Sequence, residues 1–229
     1  IQSNGFPAAE AYQKYTRDTL TFFDTRLSST MMATEEDVAR KTARILGGAP
    51  IRMVFTGRLE RLKGADQLIE IVRRLDFPFS LDMFGAGDLA PKIRQDVARF
   101  ALSDRVRVHD PIDFENELVP RLRSDADLFL CCHVQSDPSC TYLETLGCGV
   151  PILGYANKAW DRLNSAEDAG WVVPIGRNDL MANKLSHLQT ARTELAEKLQ
   201  RAHRFGKAHS FEEEFRRRVQ HLIDISGFS

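Results

Sequence analysis

The chain has 229 residues with 31 Lys+Arg against 32 Asp+Glu, a net charge of −1, and 43% hydrophobic residues. That length can bury roughly 70–75% of its unfolded surface in one large domain, and the apolar fraction excludes a disordered chain. Near-zero net charge argues against nucleic acid as the main partner, and no apolar run approaches the ~20 residues of a membrane helix.

The first 50 residues differ from the rest. Asn4-Gly5-Phe6-Pro7 opens the chain, residues 20–24 read as a short strand, and 34–46 as a helix closed by Gly47-Gly48 and Pro50. From residue 51, apolar and β-branched runs at 51–56, 80–84, 106–109, 127–132, 151–155 and 171–174 alternate with amphipathic segments, such as the one carrying Leu68, Ile71, Val72 and Leu75. Strand-helix alternation with short turns predicts right-handed βαβ units. Leu128-Phe129-Leu130-Cys131-Cys132 is apolar on both faces, as a parallel sheet covered on two sides requires. The fold expected is α/β: a Rossmann-like, doubly wound parallel sheet of about six strands, followed by helices at 178–189, 190–206 and 210–225. Ser210 and Glu213 fit a capping box on the last helix, whose stripe is Phe211, Phe215, Val219, Leu222 and Ile223.

Cys131, Cys132, Cys140 and Cys148 include no Cys-x-x-Cys pair, and we read them as buried, reduced thiols of a cytoplasmic protein. The chain begins at Ile1 rather than Met, and we read it as a piece of a longer polypeptide.

Ligands of an open parallel sheet bind beyond the strands' carboxyl ends, where the strand order reverses. After the first strand of the sheet comes Gly57-Arg58-Leu59, then Lys63-Gly64: a backbone free to approach a ligand and two cations suited to phosphate. A basic surface loop with turn glycines fits the same residues. Phe84-Gly85-Ala86-Gly87 follows the second strand and is either a tight turn or a close backbone approach. After the fourth strand, the polar segment from His133 through Ser136, Asp137, Ser139, Cys140 and Thr141 leads to a helix start, a natural anion site. Thr141 to Glu144 also fits a capping box, Asp137 a turn before proline, and His133 a hydrogen-bonded loop histidine. Asp125-Ala126-Asp127 precedes its strand and so belongs at the opposite edge, away from any ligand; no residues have metal-ligand spacing, and no metal is expected.

Taken in order, Gly57-Arg58-Leu59 with Lys63-Gly64, the Gly85/Gly87 turn, and Leu143-Glu144-Thr145-Leu146-Gly147-Cys148-Gly149-Val150-Pro151 resemble the "GRL…KG", "GxG" and "LEAMACGxPV" motifs of family 4 retaining glycosyltransferases with the GT-B fold, across about residues 50–190. The resemblance implies the C-terminal, donor-binding half of such an enzyme. It places Arg58 and Lys63 on the diphosphate leaving group without a metal or other cofactor. It places Glu144 on the ribose, the backbone of Ser139, Cys140 and Thr141 on the phosphates, and His109-Asp110-Pro111-Ile112 beside the base. The family's first motif glutamate falls at Ser136, and Asp137 is taken as the sugar-facing carboxylate in its place. It further implies residues 1–50 as linker and first elements, 51–190 as the nucleotide-sugar domain, and 191–229 as helices packing back toward an absent N-terminal domain. The expected partners are a UDP- or GDP-linked sugar and a glycan or lipid-linked acceptor, with the protein cytoplasmic or peripheral at the inner face of the membrane and this fragment inactive alone. The competing readings are a nucleotide-sugar epimerase on the same scaffold and a non-enzymatic nucleotide-binding module.

Overall fold

A computed structural model describes residues 1–136 and 138–227. The chain opens with β1 (Gln2–Asn4), α1 (Gly5–Tyr12), β2 (Leu20–Phe22) and α2 (Glu35–Leu46). β1 and β2 pair in parallel as a small separate sheet. A reciprocal capping box starts α2: the Thr34 hydroxyl accepts from the Asp37 N–H, and the Asp37 carboxylate accepts from the Thr34 N–H.

The sheet domain then runs β3 (Ile51–Thr56), a 3₁₀ turn at Arg61–Lys63, α3 (Ala65–Val72), β4 (Phe79–Phe84), α4 (Ala90–Arg99) and β5 (Val106–His109). A π-helical turn at Phe114–Leu118 leads into α5 (Val119–Asp125), followed by β6 (Leu128–Cys131), α6 (Cys140–Gly147), β7 (Ile152–Tyr155), α7 (Lys158–Glu167) and β8 (Gly170–Val173). Three helices finish the chain: α8 (Asn178–Thr190), α9 (Arg192–Ala208) and α10 (Phe211–Ser226).

All six strands of the main sheet are parallel, in the order β5-β4-β3-β6-β7-β8. The order therefore reverses between β3 and β6. Right-handed crossovers send helices that lead in opposite directions to opposite faces, so α3 and α4 cover one side and α5, α6 and α7 the other. α3 also packs against α8, while α2 and α6 both pack on α9. Every residue of β6 and β7 is buried, as a two-sided sheet demands.

Ser210 caps α10 by accepting from the Glu213 N–H, but the Glu213 carboxylate turns to Arg216 instead of closing the expected box. The expected stripe lies on α10 and is open to solvent, from Val219 at 42% to Phe215 at 55% exposure. Cys131, Cys132 and Cys148 are buried free thiols; Cys140 departs from that reading, being exposed in the first turn of α6. No helix among the described residues is long and apolar enough to cross a membrane.

Candidate functional site

Three loops meet at the carboxyl edge of the sheet, on the point of strand reversal. The loop after β3 is zipped to the loop after β4: the Gly57 N–H donates to Phe84 O at 3.0 Å, Leu59 N–H to Ala86 O at 2.8 Å, and Leu89 N–H to Leu59 O at 3.0 Å. A Cβ on Gly85 would overlap the Gly57 carbonyl oxygen, and one on Gly87 would lie 2.5 Å from Leu59 O. These glycines are thus required by backbone packing between loops, whatever else they approach. Gly64 adopts φ 63°, and a Cβ there would overlap the carbonyl of Cys132 at the end of β6. Val134 N–H donates to Leu62 O at 3.2 Å, which joins the third loop to the first.

Arg58 projects outward, its side chain 63% exposed, and pairs with Glu60 Oε2 at 3.1 Å. Lys63 is half-buried and has no ion-pair partner among the described residues. It stands close enough to His133 to act on it: burial first, and then the Lys63 charge, push the His133 imidazole down to about 3. His133 is buried, and both ring nitrogens lack a hydrogen-bond partner among the described residues. This corrects the reading of a hydrogen-bonded loop histidine. Its backbone is engaged instead, the carbonyl accepting from Asn157 Nδ2 at 3.1 Å and the N–H facing the Cys131 thiol, while the ring lies against Tyr142.

α6 begins two residues earlier than a Thr141 capping box would have it. Its N-cap is Ser139, which makes no side-chain cap hydrogen bond, so the first turn keeps an open N-terminus. Glu144 therefore does not cap its own helix. Its carboxylate is buried, 5% exposed, and Oε1 accepts from Arg26 Nε at 2.7 Å. The Arg26 guanidinium also lies 3.7 Å from the ring centre of Phe114. Arg26 is a site residue the sequence did not point to: it stands 118 positions from its partner, in a segment with no motif. Ser136 is exposed, while Ser139 and Thr141 are half-buried at the helix mouth. Asp137 lies outside the described residues.

At the end of β5, His109 Nε2 is 2.6 Å from Asp82 Oδ1 and its ring stacks on Phe84 at 4.5 Å. Asp110 turns to Arg94 at 2.9 Å, Pro111 is exposed, and Ile112 packs partly against the core. The structure thus gathers the loops of Gly57, Arg58, Lys63, Gly85, Gly87 and 133–136, together with the first turn of α6, at one edge. Asp127 lies at the other, where it accepts from the Arg52 N–H at 2.9 Å and pairs with Arg44.

The family described as glycosyl transferases group 1 matches residues 50–191, more than half of the chain. A relative from Escherichia coli K12 with the provisional name of colanic acid biosynthesis glycosyltransferase WcaL is 25% identical over 163 residues, covering 67% of this chain and 40% of its own length. Its Salmonella typhimurium counterpart is 24% identical over 148 residues, covering 61% and 36%. The chain thus spans less than half the length of these relatives. Among solved structures, Anabaena HepE in complex with UDP and glucose superposes with a TM-score of 0.77 at 15% identity, over 100% of this chain and 63% of that one. A Rickettsia africae glycosyltransferase gives 0.76 at 13%, over 100% and 64%. The parallel sheet and its flanking helices are those of a GT-B glycosyltransferase fold, and the chain belongs to the glycosyl transferases group 1 family.

Proposed function

We propose that this chain is the donor-binding domain of a family 4 retaining glycosyltransferase, holding a nucleotide-diphospho-sugar for transfer of a hexose to a glycan or lipid-linked acceptor in polysaccharide biosynthesis. The observation that supports it best is the meeting of three motif-bearing loops at the strand reversal, inside the segment matched by the family. Arg58 and Lys63 neutralise the diphosphate as the bond from the sugar C1 to its oxygen breaks, and the open N-terminus of α6 receives phosphate oxygens through Ser139, Cys140 and Thr141. In this reading side chains and a helix end do what a metal does in other transferases. Glu144 takes the ribose, residues 109–112 the base, and Asp137 the sugar.

UDP in the HepE structures favours a uridine donor, and GDP remains the other arm of the test. The acceptor comes from a second domain, across a cleft that the exposed stripe of α10 helps to close, with the whole enzyme cytoplasmic or peripheral at the inner face of the membrane. A calorimetric titration with UDP, GDP and ADP, without added metal, tests the donor reading. One nucleoside diphosphate binds in the micromolar to millimolar range, and Arg58→Ala weakens it by roughly 1.5–3 kcal/mol, the worth of a charge-assisted hydrogen bond. Failure of all three to bind, or indifference to Arg58→Ala, sinks it.

A further inference from the structure

The chain segment carrying Arg26 is fastened on both sides of that residue. The Phe23 N–H donates to the buried Glu214 Oε2 at 2.9 Å, the Leu27 carbonyl accepts from the Phe211 N–H at 2.9 Å, and the Ser29 N–H donates to Glu212 Oε2 at 2.9 Å. All three anchors lie in the first turn of α10. Leu27 is fully buried against α6, where a Cβ on Gly147 would overlap its Cδ2. Between these anchors Arg26 lies on the surface, its side chain 62% exposed, with Nε on the buried Glu144 Oε1 and its guanidinium face on Phe114.

An exposed arginine on a free loop has about 2 kcal/mol of rotamer entropy to lose before it can hold anything. Here the pinned backbone and the Phe114 ring set its direction in advance. The carboxylate it meets is buried, and removing the one charged partner of a buried carboxylate leaves its desolvation uncompensated. Resting on the donor-site reading above, we propose that Arg26 is a positioning residue for ribose recognition. It fixes Glu144 through Oε1, and the ribose hydroxyls of the nucleotide take the rest of the carboxylate in place of the neighbouring Cys140 thiol. Phe114 follows the 109–112 loop directly, so the guanidinium spans the distance between the base edge and the ribose edge of the site.

The experiment is calorimetry of UDP and GDP against their 2′-deoxy forms, on the wild-type chain and on Arg26→Met, Arg26→Lys and Glu144→Gln. The wild type prefers the ribonucleotide by about tenfold, the scale of one good hydrogen bond to a charged acceptor. Arg26→Met brings that preference below about threefold and changes 2′-deoxynucleotide binding by less than about twofold; Arg26→Lys restores part of it. A merely structural role weakens both nucleotides together and leaves their ratio alone. An unchanged ratio in a folded Arg26→Met chain overturns the proposal, and so does tighter binding of both nucleotides, which would make Arg26 a plug. If Arg26→Met does not fold, the Arg26→Lys ratio decides in the same way. A ratio that depends on Glu144 but not on Arg26 rejects this proposal alone. A wild type that binds no nucleoside diphosphate, or binds without preference and ignores Glu144→Gln, rejects the donor site and this proposal together.

Discussion

The Lys41 ammonium, carried by α2, donates a 2.9 Å hydrogen bond to the carbonyl of Cys148, the residue that closes α6. Three more carbonyls complete its cage, those of Leu122, Ala126 and Gly149 at 3.1, 3.1 and 3.2 Å. All four lie at or just past the C-terminal ends of α5 and α6, where carbonyls have lost intrahelical partners and the helix dipole is negative. A fully buried cation is thus held by helix ends rather than by a carboxylate, and the other end of α6 is the open N-terminus of the candidate site. Burial pushes the Lys41 amine down to about 8, against the nearby Cys148, Asp127 and Asp37, which favour the charged form.

Lys41→Met should cost about 2–4 kcal/mol at pH 7, because it leaves several buried carbonyls without a donor. The titration of Lys41 gives a second signature. The unfolded chain, at an ordinary 10.5, binds more protons than the folded one between pH 8 and 10.5. Stability from this group therefore rises with pH across that window, by up to ~1.4 kcal/mol per pH unit. Urea unfolding of both proteins from pH 7.5 to 10.5 checks this; identical pH slopes count against it.

Gly85→Ala should be far more damaging than Gly176→Ala. A Cβ at Gly85 would overlap the Gly57 carbonyl oxygen, a backbone atom that can move only with its loop, whereas a Cβ at Gly176 meets nothing within 4 Å. Gly176→Ala then carries only the strain of its φ of 78°, about 1 kcal/mol. Gly85→Ala should cost about 2–4 kcal/mol and, by displacing the loop of Gly57 and Arg58, abolish nucleotide binding. Thermal unfolding and calorimetry on the two variants side by side separate these outcomes.

The six strands were legible because each is a short apolar run bounded by turns, and β6 and β7 are apolar on both faces. β1 and α1 were not, since a three-residue strand has no period and Gly5-Phe6-Pro7 resembles a turn more than a helix start. α5 lies between β5 and β6, where the alternation places a helix, but the π-helical turn and Pro120 leave its start unmarked. Within the site, the glycines stood out as motifs, but the loop-to-loop packing that demands them did not. Thr141 to Glu144 has the spacing of a capping box, and only the earlier helix start at Ser139 frees the carboxylate. Arg26 and Lys41 belong to no sequence motif, and only Lys41 is buried. Their partners are set by the packing of α10 and α2 on the sheet domain, which no local pattern encodes.

Glu60 competes for Arg58. Their 3.1 Å pair is exposed on the arginine side, and such pairs contribute about 0–1 kcal/mol. A phosphate that recruits Arg58 has to displace this partner. Glu60→Gln should therefore tighten nucleoside diphosphate binding by about two- to fivefold, the mirror image of the Arg58→Ala loss. Calorimetry at low and high salt checks it, and the gain should shrink as salt screens the pair. Weaker binding in Glu60→Gln would mean that Glu60 holds Arg58 in place for the phosphate.

His133 makes the acid side of the stability profile predictable. Burial and the Lys63 charge push its imidazole down to about 3, whereas the unfolded chain titrates near 6.5. Between those values the unfolded state binds more protons, so this group's contribution is complete above pH 6.5 and is lost as the pH falls toward 3, by up to ~1.4 kcal/mol per unit. His133→Phe keeps a flat ring beside Tyr142, removes the titration, and removes two buried nitrogens that have no partner among the described residues. The variant should match or exceed the wild type at pH 7 and lose less stability on the way to pH 4, since an unsatisfied buried polar atom costs about 1–3 kcal/mol. Denaturant unfolding at pH 7, 5.5 and 4 compares the two. Parallel profiles would mean that the imidazole finds a proton acceptor in the folded chain and is not held neutral by burial.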